Sequence, residues 1–225
     1  MSENAAGSSR ETVASPYDWC GERPGYEIFK RLIDITVAAT TLVVLSPLWL
    51  TIAIAIRLTS PGPALYRRTV VGRRGESFTY FKFRTMVVGD DSIHRRWLRD
   101  YVLRDHPYTG NTYKVTNDSR ITSVGRLLRG TSLDEAPQLI NVLSGDMSIV
   151  GPRPPIEFEF NLYDDAAKRR LAVKPGITGL YQVTARGRAS FSRMLSIDVE
   201  YIARRSILLD VAIMARTATA MFTGA

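Results

Sequence analysis

ITVAATTLVVLSPLWLTIAIAI, residues 35–56, is a run of 22 uncharged, mostly apolar residues interrupted near its middle by Ser46-Pro47. A straight helix of this length would span roughly 33 Å at about 1.5 Å per residue, enough for a bilayer core. Both flanks of the run are basic. Lys30 and Arg31 precede it, and Arg57, Arg67, Arg68, Arg73, Arg74, Lys82 and Arg84 follow. Basic flanks favour the cytoplasm, and here both qualify. Pro47 removes a backbone donor and its ring collides with the carbonyl of Val43, so a helix must kink there. Ser46 can reach back toward the freed group, which makes the break tolerable in lipid. Each half then has roughly 11 residues, enough to dip into one leaflet but not to cross it. The expectation is a re-entrant element that enters and leaves on the same face. A kinked spanning helix would instead put one basic flank outside. Asp34, with Lys30 and Arg31 one turn earlier, is expected to pair with them as an interfacial device.

The rest of the composition supports an anionic partner. The chain has 225 residues, a formal charge of +8 and a pI near 9.8, which suit phospholipid, nucleotide diphosphate or nucleic acid. Cys20 is the only cysteine, which excludes an internal disulfide framework and a Cys-rich zinc site. His94 and His106 are too few for a His-based metal cluster. Residues 1–25 are polar and rich in Ser, Gly, Pro and acids, and are expected to be a disordered tail. The apolar run begins too far from the N-terminus and is too long for a signal peptide.

After the run, Pro61-Gly62-Pro63 marks a turn. ALYRRTVVG and ESFTYFKFRTMVV then read as a hairpin through Gly72-Arg73-Arg74-Gly75. Residues 90–106 have a helical pattern with Trp97, Leu98, Tyr101 and Val102 as apolar face. A short basic helix is expected over 121–129, stopped by Gly130. Ser132 and Glu135 fit a capping box for a helix with Leu139, Ile140, Val142 and Leu143 on its buried face. Prolines stiffen the Gly151-Pro152-Arg153-Pro154-Pro155 loop. A helix is expected over 156–172, a second stiff turn at Lys174-Pro175-Gly176, a helix over 191–204 and an amphipathic one over 207–222.

Taken alone, Ser132-Leu133-Asp134-Glu135 reads as ordinary helix capping. Its neighbours make a second reading available. An aspartate at a helix start can attack phosphorus, and an adjacent glutamate can hold a divalent metal bridging phosphate oxygens. Arg129 and the proline-held Arg153 could clamp the phosphates.

KRLIDITVA, the Ser-Pro break, PGPALYRRTVVGRRGESFTYFKFRTM, TNDSRITSVGRLLRGTSLDEAPQLINVLSGDMSIVGPRP and KPGITGLYQVTARGR occur here in that order. Together they resemble the bacterial sugar transferases, the monotopic phosphoglycosyl transferases that start glycan assembly. The resemblance covers about residues 28–222 and makes the catalytic reading of Asp134-Glu135 the favoured one. It implies transfer of a sugar 1-phosphate from a UDP-sugar to a polyprenyl phosphate such as undecaprenyl phosphate, through a phosphosugar carried on Asp134. It implies Mg²⁺ held by Glu135, and substrate contacts from Arg129, Arg153, Pro154, Lys82, Arg84 and Asp198. The implied fold is α/β, mainly α: a re-entrant membrane helix with interfacial amphipathic helices around a compact cytosolic catalytic core. The expected division is a tail over 1–25, the membrane helix-break-helix over 26–60 and the catalytic domain over 61–225. The implied location is the cytosolic face of the bacterial inner membrane, with a homo-oligomer among the assemblies allowed. Larger members carry four further transmembrane helices, so the chain resembles the minimal form.

Lys174, Gly130 and Ala136 depart from the family pattern, and a lysine at 174 loses the bidentate fork of arginine. The competing reading is a basic membrane-anchored binding or scaffold protein without catalysis. Against it, the arginines form no long run and no recognised nucleic-acid motif.

Overall fold

The computed structural model describes residues 15–87, 92–105, 118, 120–185 and 189–223. The apolar run folds as two helices, α1 (Pro24–Val44) and α2 (Ser46–Thr59), bent by 64° at Leu45. Ser46 Oγ donates to the Val43 carbonyl at 2.8 Å, so the hydroxyl caps the group that the proline ring displaces. Among the described residues no single helix is long and apolar enough to cross a membrane, whereas the bent pair passes that test together. Val43, Val44, Leu50, Ile54 and Leu58 leave at least half of their surface exposed.

Asp34 departs from expectation. It is buried, and its Oδ1 accepts from Ile149 N at 2.9 Å and Ser148 Oγ at 3.0 Å. Lys30 donates instead to Asp210 at 2.8 Å, and Arg31 donates to the Val142 and Leu143 carbonyls. These charges share a helix face, as their spacing requires. That face packs on the body of the protein, so partners across the interface replace partners within the helix.

Beyond the helices, β1 (Leu65–Val71) and β2 (Ser77–Phe83) form an antiparallel hairpin whose register pairs Leu65 with Phe83 and Val71 with Ser77. α3 (Ser92–Arg104) buries Leu98 and Tyr101, as its apolar pattern predicts. α4 (Ser123–Thr131) is capped by the Thr122 hydroxyl and runs one residue past Gly130. α5 (Gln138–Ser144) ends at Gly145, whose φ of 95° suits a residue without Cβ. A second, parallel pair joins β3 (Ser148–Val150) to β4 (Gly176–Thr178).

The helix expected over 156–172 is interrupted. α6 (Glu157–Phe160), α7 (Asp165–Lys168) and a 3₁₀ turn at Arg169–Ala172 replace it. Asp164 restarts the chain by accepting from Ala167 N at 2.8 Å. α8 (Leu180–Thr184), α9 (Phe191–Arg204) and α10 (Ile207–Thr223) complete the chain. α10 is amphipathic, with Asp210 and Ile213 buried and Leu208 84% exposed.

The main core joins Ala38 of α1 to Leu139, Val142, Ile149, Tyr201 and Ile213, so the apolar helix is part of the body. The described part of the tail, residues 15–23, also departs from expectation. Arg23 donates to the Ala203 and Arg205 carbonyls, Trp19 Nε1 donates to the Arg169 carbonyl, and Arg74 pairs with Asp18. Backbone carbonyls where α9 ends anchor Arg23, and the Arg169 carbonyl anchors Trp19. Residues 1–14 lie outside the described residues.

Asp34→Ala removes the acceptor for Ile149 N and Ser148 Oγ and is expected to cost about 1–3 kcal/mol. Urea unfolding in detergent micelles should show an earlier midpoint, with a smaller loss in Asp34→Asn, which keeps one acceptor.

Candidate active site

Asp134 and Glu135 lie in a 3₁₀ turn, Leu133–Glu135, that leads through Ala136-Pro137 into α5. The expected capping box does not form. Ser132 adopts a left-handed backbone (φ 59°) and its side chain caps nothing, because α4 winds through Thr131 and Ser132 must reverse the chain. Asp134 is buried and Glu135 half-buried.

α5 is held against β2 by side chains that the sequence reading did not single out. The buried Asn141 donates through Nδ2 to the Thr79 carbonyl at 2.7 Å and accepts from Phe81 N at 3.2 Å. One turn earlier, Gln138 Nε2 donates to the Tyr80 hydroxyl at 2.6 Å. Tyr80 stands beside the Asp134–Glu135 turn. Burial pushes its phenol well above the usual range, and the Glu135 and Asp134 carboxylates add to this, while Arg153 and the Gln138 hydrogen bond oppose it. The phenol therefore keeps its proton and remains a potential donor facing two carboxylates. Tyr80 was visible only as one member of the hairpin's alternating aromatics.

Arg153 also acts on the Tyr80 phenol. Gly151 N donates to the Thr178 carbonyl at 2.8 Å, and Gly176 N donates to the Pro152 carbonyl at 2.9 Å. A Cβ on Gly176 would stand 2.0 Å from Gly151 N, so the two strand ends interlock only with glycine there. Buried Pro152 and Pro154 flank the half-buried arginine. Pro154 thus stiffens the loop.

The remaining expected site residues divide. Arg129, in the last turn of α4, puts Nη1 3.4 Å from Met86 Sδ and lies near Asp118, whose carboxyl is held down to about 2 chiefly by its hydrogen bond to Arg120. Lys82 shares the strand face of Tyr80 by the two-residue period and stands 5.1 Å from the centre of the Tyr66 ring. Arg84 is buried and donates to the Ser60 carbonyl and hydroxyl and the Pro61 carbonyl at 2.6–3.0 Å. Its guanidinium is committed to carbonyls left open where α2 ends.

Asp198 is likewise interior. Arg170 holds it at 2.7 Å, and Tyr163 bridges Glu159 Oε1 at 2.6 Å and Arg170 Nη1 at 2.7 Å. Burial pushes the Asp198 carboxyl up and Arg170 pulls it down. Its connection to the site runs through Tyr181, whose phenol is raised chiefly by burial, raised further by Asp198 and lowered by Arg153. Asp198 is thus committed to Arg170 in the interior. Among the described residues no group of three or more His, Cys, Asp or Glu side chains is placed to hold a metal.

Comparison with known proteins adds an independent line. The family described as bacterial sugar transferase matches residues 25–224. An exopolysaccharide production protein, ExoY, of Sinorhizobium fredii is 35% identical over 219 residues, covering 97% of this chain and 96% of that protein. The UDP-glucose:undecaprenyl-phosphate glucose-1-phosphate transferase of Caulobacter vibrioides is 37% identical, over 89% of this chain and 72% of that protein. The undecaprenyl-phosphate galactose phosphotransferase of Salmonella typhimurium is 39% identical, over 84% of this chain and 39% of that protein.

Arg170→Met breaks a buried ion pair and is expected to destabilise the fold by about 3–5 kcal/mol. Thermal unfolding should show the loss, and a melting temperature equal to that of the wild type would contradict a structural role for the Arg170–Asp198 pair.

Proposed function

The chain belongs to the bacterial sugar transferase family and is a sugar-phosphate transferase acting on a lipid carrier at the start of polysaccharide synthesis; we propose that its donor is a UDP-sugar, its acceptor a polyprenyl phosphate and its nucleophile Asp134. The observation that carries this reading is the Asp134–Glu135 turn beside Tyr80 and Arg153, in a chain whose bent apolar helices pack into the same core.

In the first step an Asp134 carboxylate oxygen attacks the phosphorus attached to the sugar. The bond from that phosphorus to the oxygen bridging the two phosphates breaks, and UMP departs with the electron pair. In the second step a phosphate oxygen of the lipid attacks the same phosphorus. The bond to Asp134 breaks, and the free carboxylate is restored with a lipid diphosphate sugar as product. Arg153 and Arg129 offset phosphate charge, and rigid placement of Arg153 avoids reorganisation during transfer. Lys82 adds a cation on the Tyr80 face.

Two adjacent carboxylates fit Mg²⁺, which binds through one or two carboxylates together with substrate phosphates. Glu135 would hold it, since Asp134 serves as nucleophile, and the ion would supply charge neutralisation at the diphosphate.

We further propose that α1 and α2 enter and leave the cytosolic face of the inner membrane. The Ser46-capped bend, the exposed apolar side chains and the basic flanks support this topology. The site is then set at headgroup height, where a soluble nucleotide sugar meets a lipid phosphate.

Purified protein given radiolabelled UDP-sugar and Mg²⁺ without lipid is expected to retain label, and Asp134→Asn should retain none. UMP release at the same rate in both would contradict the covalent step. For the topology, single cysteines near residues 27 and 60, introduced after Cys20 is replaced, are expected to react from the same side. Labelling from opposite sides would exclude the re-entrant arrangement.

A further inference from the structure

At the far end of α5 from Glu135 lies a second charged site. The seven residues of α5 separate the two by about 10 Å along the helix. A cavity of about 490 Å³ opens there between the β1–β2 turn, Gly145 and the turn before β4. Arg73 and Lys174 both line it, and both are half-buried. Among the described residues neither side chain has a hydrogen-bond or ion-pair partner, and Arg73 Nε is buried without one. Arg31 adds a third cation. A Cβ built on Gly145 would meet Lys174 Nζ at 3.6 Å and Arg31 Nη2 at 3.7 Å.

Burial pushes the Lys174 ammonium down and Arg31 and Arg73 push it further, while the Asp34 and Glu27 carboxylates partly oppose them. The cavity also carries Glu22, Glu76 and Asp146, but these are exposed at its rim and screened by water. Its inner wall is therefore positive. Like charges gathered in a partly dehydrated cavity whose acids stand exposed are unfavourable unless an anion joins them. A planar guanidinium beside an ammonium suits tetrahedral phosphate oxygens, and the volume exceeds that of a phosphate alone.

We infer that this cavity is a phosphoryl-binding site, separate from the Asp134 centre and formed by Arg73 and Lys174 with Arg31 behind them. Two sources could fill it: free phosphate and a phospholipid headgroup. Arg31 lies one helical turn before Ile35, where the apolar run begins, which puts the cavity within reach of headgroups. The site does not depend on the transfer chemistry, so the Asp134→Asn protein should bind equally well.

The test titrates the full chain in detergent micelles with inorganic phosphate and, separately, with dihexanoylphosphatidylglycerol below its micelle concentration. Saturable binding about tenfold weaker in Arg73→Gln/Lys174→Gln is expected for at least one probe. Lys174→Gln alone, which removes a side chain without a partner, should shift affinity the same way by about threefold. Melting temperatures without probe establish that each variant is folded. Arg153→Gln, which alters the catalytic centre, should keep the component that depends on Arg73 and Lys174. Tighter binding of the lipid identifies the headgroup as the source, and equal binding identifies free phosphate; either supports the site. Equal affinity in wild type and both variants, or no saturable binding of either probe, would overturn it.

Discussion

A buried carboxylate governs how the apolar helices meet the rest of the chain. Asp34 has no water to solvate it, and an unpaired charge in that position would cost several kcal/mol. Only one docking of α1 satisfies it, with Ile149 N and Ser148 Oγ as donors and Lys30 displaced onto Asp210. That docking sets Ala38 into the main core and aligns α1 with β3. β3 leads directly into Gly151-Pro152-Arg153, so the residue that anchors the apolar element also orients the loop carrying the site's arginine. The apolar helix α1 and the Arg153 loop therefore pack as one unit.

The same economy of polar groups recurs through the core. Arg170 donates to Asp198 and to the Tyr163 hydroxyl, Arg84 closes the end of α2, and Asn141 joins α5 to β2. Each is a buried group satisfied by a partner from another element, which is the condition for its burial. Around Asp134 the arrangement differs. Tyr80, Glu135 and Arg153 bring opposite charges and a protonated phenol to one place, an arrangement suited to phosphate rather than to the fold alone. Arg73 and Lys174 carry the imbalance further, since among the described residues neither side chain has a hydrogen-bond or ion-pair partner.

Local pattern made much of this legible. The helix expected over 191–204 is α9 end for end, and the hairpin forms where alternation and Gly72–Gly75 require it. The break at Ser46-Pro47 follows from one ring and one hydroxyl. Of the candidate site, Arg129 and Arg153 stand out beside a glycine or prolines, and Asp134 and Glu135 as adjacent acids at the start of a helical pattern. Tyr80, Gln138 and Asn141 do not, since their own positions read as ordinary strand or helix residues and their partners lie about 60 residues away. The capping box failed for a related reason: Ser132 and Glu135 match the motif, but α4 claims the preceding residues and forces Ser132 into a left-handed turn.

What the sequence by itself determined was therefore the bend, the hairpin, the helical faces and the family. These rest on steric exclusion and periodicity within a few residues, and distant residues cannot change them. Only the tertiary structure decided which charge meets which. Asp34 finds its donor 115 positions away, Arg84 its acceptors 24 away, and Asp198 its arginine 28 away. A charge is satisfied by whatever lies within about 3 Å once it is desolvated, and that distance is set by packing between elements, which a one-dimensional pattern does not contain.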